Sequence, residues 1–238
     1  MIVKNDFAFV IRNAVSTDIC KFLSAEFRML EKCVEFFNNG DGKSVGKEIG
    51  LTESFSVYSP LFLETLSLHV KPLVEEAVGK QLWSTYSYGR IYKTGAELEQ
   101  HLDRRSSEYT VSCCLEKDAA HDWSLIIKRL DGTEEEYFLE VGDMLVYPGR
   151  DLVHWREGKF KGTEQIQAFI QYVNQHGDSS DLKWDSRPLM GLPWETARPD
   201  VHQGLEQMMD TLKTVPVAEN LNEVLPSVID LLTNLPKQ

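Results

Sequence analysis

The sequence predicts an α+β protein built on a double-stranded β-helix, a jelly-roll core with flanking N-terminal and C-terminal helices. Three observations lead there. From Gln81 onward apolar residues recur with a period of two in short runs rich in Val, Ile, Tyr, Trp and Phe, at residues 82–93, 108–116, 123–130, 134–140, 143–148, 151–156 and 164–174. Turn signals separate the runs, Asp131-Gly132 being the clearest hairpin pair. Two amphipathic helical stretches come before the strands and do not alternate with them, so helices cover one face of a β core.

Taken in order, residues 1–15 carry the alternating Phe7-Ala8-Phe9-Val10-Ile11 and open with a strand. Ser16 or Thr17 then caps a helix whose apolar positions, Ile19, Phe22, Leu23, Phe27, Leu30, Val34 and Phe37, recur at helical spacing up to Asn38-Asn39-Gly40. Residues 41–56 are polar and contain glycine, and are read as a mobile loop near the site. Ser59-Pro60 starts a second helix with an apolar face of Leu63, Leu66, Val70, Leu73, Val74 and Ala77; Pro72 kinks it and Gly79 ends it. Beyond the last strand, Gly177-Asp178-Ser179-Ser180-Asp181, Arg187-Pro188 and Leu192-Pro193-Trp194 mark a loop-rich segment. Short helices at 200–213 and 218–235 follow, the latter with a stripe of Leu221, Val224, Leu225, Val228, Ile229, Leu232 and Leu235. Residues 1–175 are thus expected to form the jelly-roll domain with its helical support. Residues 176–238 form an extension packed on it, the stripe serving its own domain or a homodimer contact.

With 238 residues, 42% of them hydrophobic, the chain can bury one sizeable core. A net charge of −12 argues against nucleic acid, whose partners carry a basic footprint. No apolar run approaches the roughly 20 residues of a membrane span, and the first residues lack a signal-peptide core, so a cytoplasmic protein without a membrane partner is expected. The four cysteines, Cys20, Cys33, Cys113 and Cys114, have neither framework nor zinc spacing, and adjacent Cys113 and Cys114 point to opposite faces of one strand.

His101 and Asp103 lie two apart at a strand end, so both side chains leave the same face and can close on one metal ion; His154, from a later strand, completes a two-histidine, one-carboxylate set. Imidazole and carboxylate hold Fe(II), and three protein ligands leave the other octahedral positions open for co-substrate and O2. The remaining histidines, His69, His121, His176 and His202, have no partner at metal spacing and are read as packing or surface residues.

YxxGxxLxxHxD from Tyr92 to Asp103, then Gly142-Asp143-Met144-Leu145-Val146-Tyr147-Pro148-Gly149, then His154, stand in the order seen in a known family. Over residues 82–175 the chain resembles the Fe(II)/2-oxoglutarate-dependent oxygenases, and within them the prolyl-4-hydroxylase-like branch. The resemblance implies Fe(II) with 2-oxoglutarate and O2 as co-substrates, ascorbate as an auxiliary reductant, and hydroxylation of a peptide or protein side chain or of a small metabolite. It makes Tyr92 the tyrosine that reaches the co-substrate; a core aromatic is the other reading of that residue. The branch places a basic residue nine or ten positions after the distal histidine, where this chain has Thr163 and Glu164. Another cation is then needed, and Arg156, on the face of His154, comes first, followed by Arg90, on the face of Tyr92, and Lys128. Arg104-Arg105 is read as a solvated loop or a receptor for an acidic substrate group, Trp155 as facing away from the metal, and Gln165, Gln167 and Gln171 as facing either the barrel interior or solvent. The alternatives are a cupin-type metalloenzyme independent of 2-oxoglutarate, to which Glu164 lends weight, and a jelly-roll module that binds without turnover. The oligomer is a monomer or a homodimer.

Overall fold

Residues 6–37 and 53–192 are described by a computed structural model of the chain. The strands are β1 (Phe9–Ile11), β2 (Ser54–Tyr58), β3 (Leu82–Lys93), β4 (Leu98–His101), β5 (Tyr109–Glu116), β6 (Leu125–Lys128), β7 (Glu134–Tyr137), β8 (Met144–Tyr147), β9 (His154–Arg156) and β10 (Glu164–Asn174). They form a six-stranded sheet in the order β1-β8-β5-β10-β3-β2 and a four-stranded sheet in the order β4-β9-β6-β7, with every pairing antiparallel. These are the two facing layers of the expected jelly-roll.

The alternation along the large sheet decides what each face does. On β10, Ile166, Ala168, Ile170 and Tyr172 join the core formed with the helices. Gln165, Gln167 and Phe169, on the opposite face, stand in register with Tyr92, Arg90 and Tyr88 of β3. The same rule splits the adjacent cysteines as expected: Cys113 packs in the core under the helices, Cys114 in the core between the sheets. All three alternating glutamines are buried, which places them in the barrel and not in solvent.

Helices α1 (Thr17–Phe37) and α2 (Leu61–Val78) cover the outer face of the large sheet through Cys20, Leu23, Phe27 and Val34 of the first, and Leu63, Leu66, Val70 and Val74 of the second. Ser16 Oγ accepts from the Ile19 amide at 3.4 Å, the cap expected there. The second helix differs: Ser59 does not cap it. That residue has φ +44° and its Oγ donates to the Ser87 carbonyl at 3.3 Å, tying β2 to β3, while Pro60 occupies the N-cap. Pro72 lies inside the helix without ending it, and His69 is an exposed residue on its surface. The 41–56 loop is corrected at its end: Ser54–Tyr58 is an edge strand, with Phe55 and Val57 buried under the helices. Two apolar residues between serines are too short a pattern to stand out as a strand. Residues 41–52 and the helices expected at 200–213 and 218–235, with His202, lie outside the described residues. Where the sequence suggests a strand over 151–156, only His154–Arg156 is extended. The Asp151 and Leu152 amides both turn back to the Pro148 carbonyl, at 2.9 and 3.1 Å.

After β10 a 3-10 turn, Ser180–Ser186, leads to Arg187, which is sealed against Glu64 of α2 at 3.1 Å and donates as well to the carbonyls of Thr85, Trp184 and Leu192. Glu64 receives in return the Ser87 amide and hydroxyl and the Gly191 amide. Both carboxylate oxygens and all three guanidinium nitrogens of this buried ion pair have partners, the condition under which burial of charge is tolerated.

The Gly142-Asp143 pair shows how the motif before β8 works. Gly142 has φ +91°, and a Cβ there would stand 2.3 Å from the Val15 carbonyl oxygen. The Asp143 carboxylate accepts the Asn13 and Glu140 amides at 3.0 Å each and the Arg12 guanidinium at 2.5 Å, pinning the N-terminal strand to the β7–β8 turn. Burial opposes its charge, yet these hydrogen bonds hold its pKa below the usual carboxylate value of 3.8. A lowered native pKa contributes stability above that value and loses it as the pH falls below. Gly142→Ala is expected to cost roughly 2 kcal/mol or more in thermal melts, from the left-handed backbone and the overlap together. Asp143→Asn is expected to be less stable at pH 7 and to lose less on acidification below pH 4 than the unsubstituted chain, as measured by urea denaturation.

Candidate metal centre

β4 and β9 pair at the edge of the small sheet, Leu98 opposite Arg156 and His101 opposite His154. Three residues on β4 thus span two on β9, so β4 carries a bulge. Without that extra residue Gln100 would face His154. With it the two imidazoles stand together, ring centroids 4.2 Å apart. Asp103 lies just past the strand, where its amide donates to the Gly149 carbonyl at 3.0 Å. Its Oδ1 is 3.7 Å from His101 Nε2 and 3.6 Å from His154 Nε2, and the three donor atoms lie within 4.8 Å of one another. One ion at roughly 2 Å from each donor can bridge such a set.

The atoms that do not face the centre are all occupied. His101 Nδ1 donates to the Glu99 carbonyl at 2.8 Å and His154 Nδ1 to the Leu152 carbonyl at 2.9 Å. A carbonyl only accepts, so both Nδ1 atoms carry protons and the Nε2 lone pairs are presented to the metal position. Asp103 Oδ2 accepts from Thr110 Oγ1 at 2.7 Å, and Thr110 Oγ1 lies 2.8 Å from the Gln171 amide oxygen position. One hydroxyl proton serves one acceptor. Thr110 therefore donates to Asp103 and is oriented by the Gln171 amide. Gly149 makes room for this contact, since a Cβ there would stand 2.1 Å from Asp103 Oδ2 and 2.2 Å from Thr110 Oγ1.

The electrostatics are those of a pair of bases around one carboxylate. Burial and the neighbouring His154 push His101 below its ordinary value. Burial acts the same way on His154, but the Asp103 carboxylate outweighs it and raises that histidine above 6.5; Asp103 itself, despite burial, is lowered by His154 and Thr110. His154 is buried, whereas 39% of the His101 side chain remains exposed, so the centre is open on the His101 side.

Behind the donors the barrel interior is lined by the other residues singled out in the sequence. Tyr92 is fully buried, edge-on to Trp123 at 5.1 Å, and lies beneath two guanidinium groups: Arg90 at 5.3 Å and Arg156 at 5.8 Å from its ring centre. Arg90 also donates to the Tyr92 hydroxyl at 3.4 Å. Lys128 is not among them, since it is half exposed on the outside of β6 and 3.9 Å from Glu134. Glu164 faces outward too, bound to Arg28 at 2.5 Å and Lys93 at 2.7 Å. Arg104 stacks at 4.0 Å on Tyr86 and donates to Asp185 at 2.7 Å, and Arg105 pairs with Asp181 at 2.8 Å. Trp155, opposite Ile126, points away from the metal position as expected. Thr110 is a supporting residue that the sequence did not reveal, because a threonine in a strand carries no motif.

No protein-family model matches the chain, and no curated protein matches it. Solved structures do. A Pseudomonas putida prolyl-4-hydroxylase is 13% identical, covering 71% of this chain and 94% of that one with a TM-score of 0.50. AviO1 from Streptomyces viridochromogenes Tue57 is 17% identical over 73% and 92%, TM-score 0.56. HygX from Streptomyces hygroscopicus, a structure with nickel and 2-oxoglutarate bound, is 13% identical over 72% and 84%, TM-score 0.53. The chain therefore has the jelly-roll fold of the 2-oxoglutarate/Fe(II) oxygenase structures, including the prolyl-4-hydroxylase form of it.

Thr110→Val is expected to weaken Fe(II) or Mn(II) binding about 10- to 100-fold, the usual effect of removing an outer hydrogen-bond partner, and Gly149→Ala to weaken it further; calorimetric titration reads both. The pKa of His154 is raised by Asp103, and in its protonated form the imidazole carries a second proton, on Nε2, that the metal must displace. Affinity is therefore expected to climb with pH from 6 to 8 with release of a proton, measured by comparing binding heats in buffers of different ionisation enthalpy.

Proposed function

We propose that the chain is an Fe(II)- and 2-oxoglutarate-dependent oxygenase that hydroxylates an unactivated C–H bond. The observation that carries the proposal is the set of His101 Nε2, Asp103 Oδ1 and His154 Nε2 donors converging from one side, with every other polar atom of the three side chains engaged elsewhere. Iron and 2-oxoglutarate bound there supply O2 activation coupled to oxidative decarboxylation of the co-substrate to succinate. The chain's own part is to hold and to shield. The two Nδ1–H bonds fix the imidazole planes, Thr110 leaves one carboxylate oxygen for the metal, and the exposed edge of His101 is where ligands enter. Tyr88 with Phe169, ring centroids 6.4 Å apart, and Tyr92 with Trp123, 5.1 Å apart, form an aromatic wall of the interior.

A buried donor without an acceptor supports the fit of an anionic co-substrate: Arg156 Nε and Gln167 Nε2 are both of this kind. The cupin-type reading drew its weight from Glu164, whose outward position removes that support. For substrate, a peptide or protein side chain is the first reading, in line with the prolyl-4-hydroxylase likeness. A small metabolite is the second, favoured by a HygX structure with hygromycin B bound.

Anaerobic addition of Fe(II) and then 2-oxoglutarate is expected to give the weak visible charge-transfer band of a chelate. Air is then expected to produce slow, iron-dependent succinate without added substrate. His101→Ala and Asp103→Ala are each expected to reduce succinate formation by at least about 100-fold, beyond the effect of losing an outer partner. Bound iron with neither band nor succinate would leave a jelly-roll that binds metal without this chemistry.

A further inference from the structure

The fold treats two buried arginines in opposite ways. Arg187, with no side-chain exposure, donates to Glu64 and to the carbonyls of Thr85, Trp184 and Leu192. Arg156, 4% exposed, donates to the Trp123 carbonyl and is hydrogen-bonded to Tyr92; its Nε has no acceptor, and among the described residues no carboxylate is within ion-pair distance of it. An uncompensated buried charge of this kind is costly. Gln167 stands with it in the wall of one cleft of about 280 Å3, counting its open mouth. Ser112 Oγ lies 3.4 Å from the Gln167 amide oxygen, and the Gln167 Nε2 has no acceptor although the residue is 1% exposed.

Arg156 on β9 and Gln167 on β10, one from each sheet, thus line the same cleft, and each has an N–H group with no acceptor among the described residues. Arg156 is two residues along β9 from His154 and its side chain leaves the same face, a displacement of roughly 7 Å from the metal ligand. That is about the reach of a five-carbon diacid chelated at its other end.

We propose that Arg156 and Gln167 form the anion subsite for the distal carboxylate of the co-substrate, taking over from the basic residue that would stand near Glu164. This inference rests on the oxygenase reading above. Glu164 is bound outside by Arg28 and Lys93 and does not compete. A guanidinium presents a planar fork that matches a carboxylate, and the tyrosine and tryptophan faces on either side keep it in plane.

The test is anaerobic calorimetry on the Mn(II)-loaded full chain, titrating 2-oxoglutarate and, separately, 2-oxovalerate, which has a methyl group in place of the distal carboxylate. The unsubstituted chain is expected to bind 2-oxoglutarate at least about tenfold tighter than 2-oxovalerate, as a buried charged hydrogen bond requires. Arg156→Met is expected to lose at least about 30-fold on 2-oxoglutarate and less than about threefold on 2-oxovalerate. Gln167→Glu offers Arg156 an internal carboxylate, so it is expected to raise the melting temperature while weakening 2-oxoglutarate selectively. Equal losses for both ligands in Arg156→Met would make the arginine a packing residue and overturn the assignment. So would unchanged 2-oxoglutarate affinity in both variants. Equal binding of the two ligands by the unsubstituted chain would also overturn it and turn the subsite over to a carboxylate of the substrate. Failure of that chain to bind either keto acid would instead reject the co-substrate reading itself, and the subsite with it.

Discussion

The Asp103 carboxylate is the point on which the candidate centre depends, because three separate parts of the barrel fix it. The large sheet holds one oxygen through Thr110, the turn after β8 holds the backbone through Gly149, and the other oxygen faces the two histidines of the small sheet. A short side chain with two torsions, tied at both ends, has little freedom left to lose when a metal binds. The closeness of Gly149 also explains why a glycine follows the Tyr147-Pro148 pair: any Cβ would occupy the space of the hydrogen bond.

Charge is distributed in this barrel according to what each part has to do. Glu64 and Arg187, on the helix side of the sheet, pair with each other and with surrounding backbone groups and serve the fold. On the inner face Arg90 and Arg156 lie on aromatic rings, and the three glutamines of β10 line the wall beside them. Polar side chains there cost stability in the absence of a ligand, and the helix-side core of Phe27, Leu63, Ile91, Ile166 and their neighbours offsets that cost. The polar interior and the apolar exterior face of the same strands come directly from the two-residue period of a β-strand.

Much of this was legible in the residues. The β3 and β10 bounds agree with the alternating runs at 82–93 and 164–174, and the opposite fates of Cys113 and Cys114 follow from pleating alone. Short elements were less legible. β2 hides in a polar stretch, and Ser59, a good cap by composition, spends its hydroxyl on β3. Glu164 was misjudged for a related reason: its position in the sequence suggested the site, but strand parity turns it to Arg28 and Lys93.

The sequence by itself determined the ligand types and the periodicity, since a histidine, a carboxylate and a strand period are local properties of the chain. Only the tertiary structure decided that His101 rather than Gln100 faces His154, because a one-residue bulge in β4 is a matter of register between strands distant in sequence. It also separated the three candidate cations, placing Arg90 and Arg156 inside and Lys128 outside, since whether a long basic side chain meets water or a cavity depends on what the opposing sheet puts in front of it.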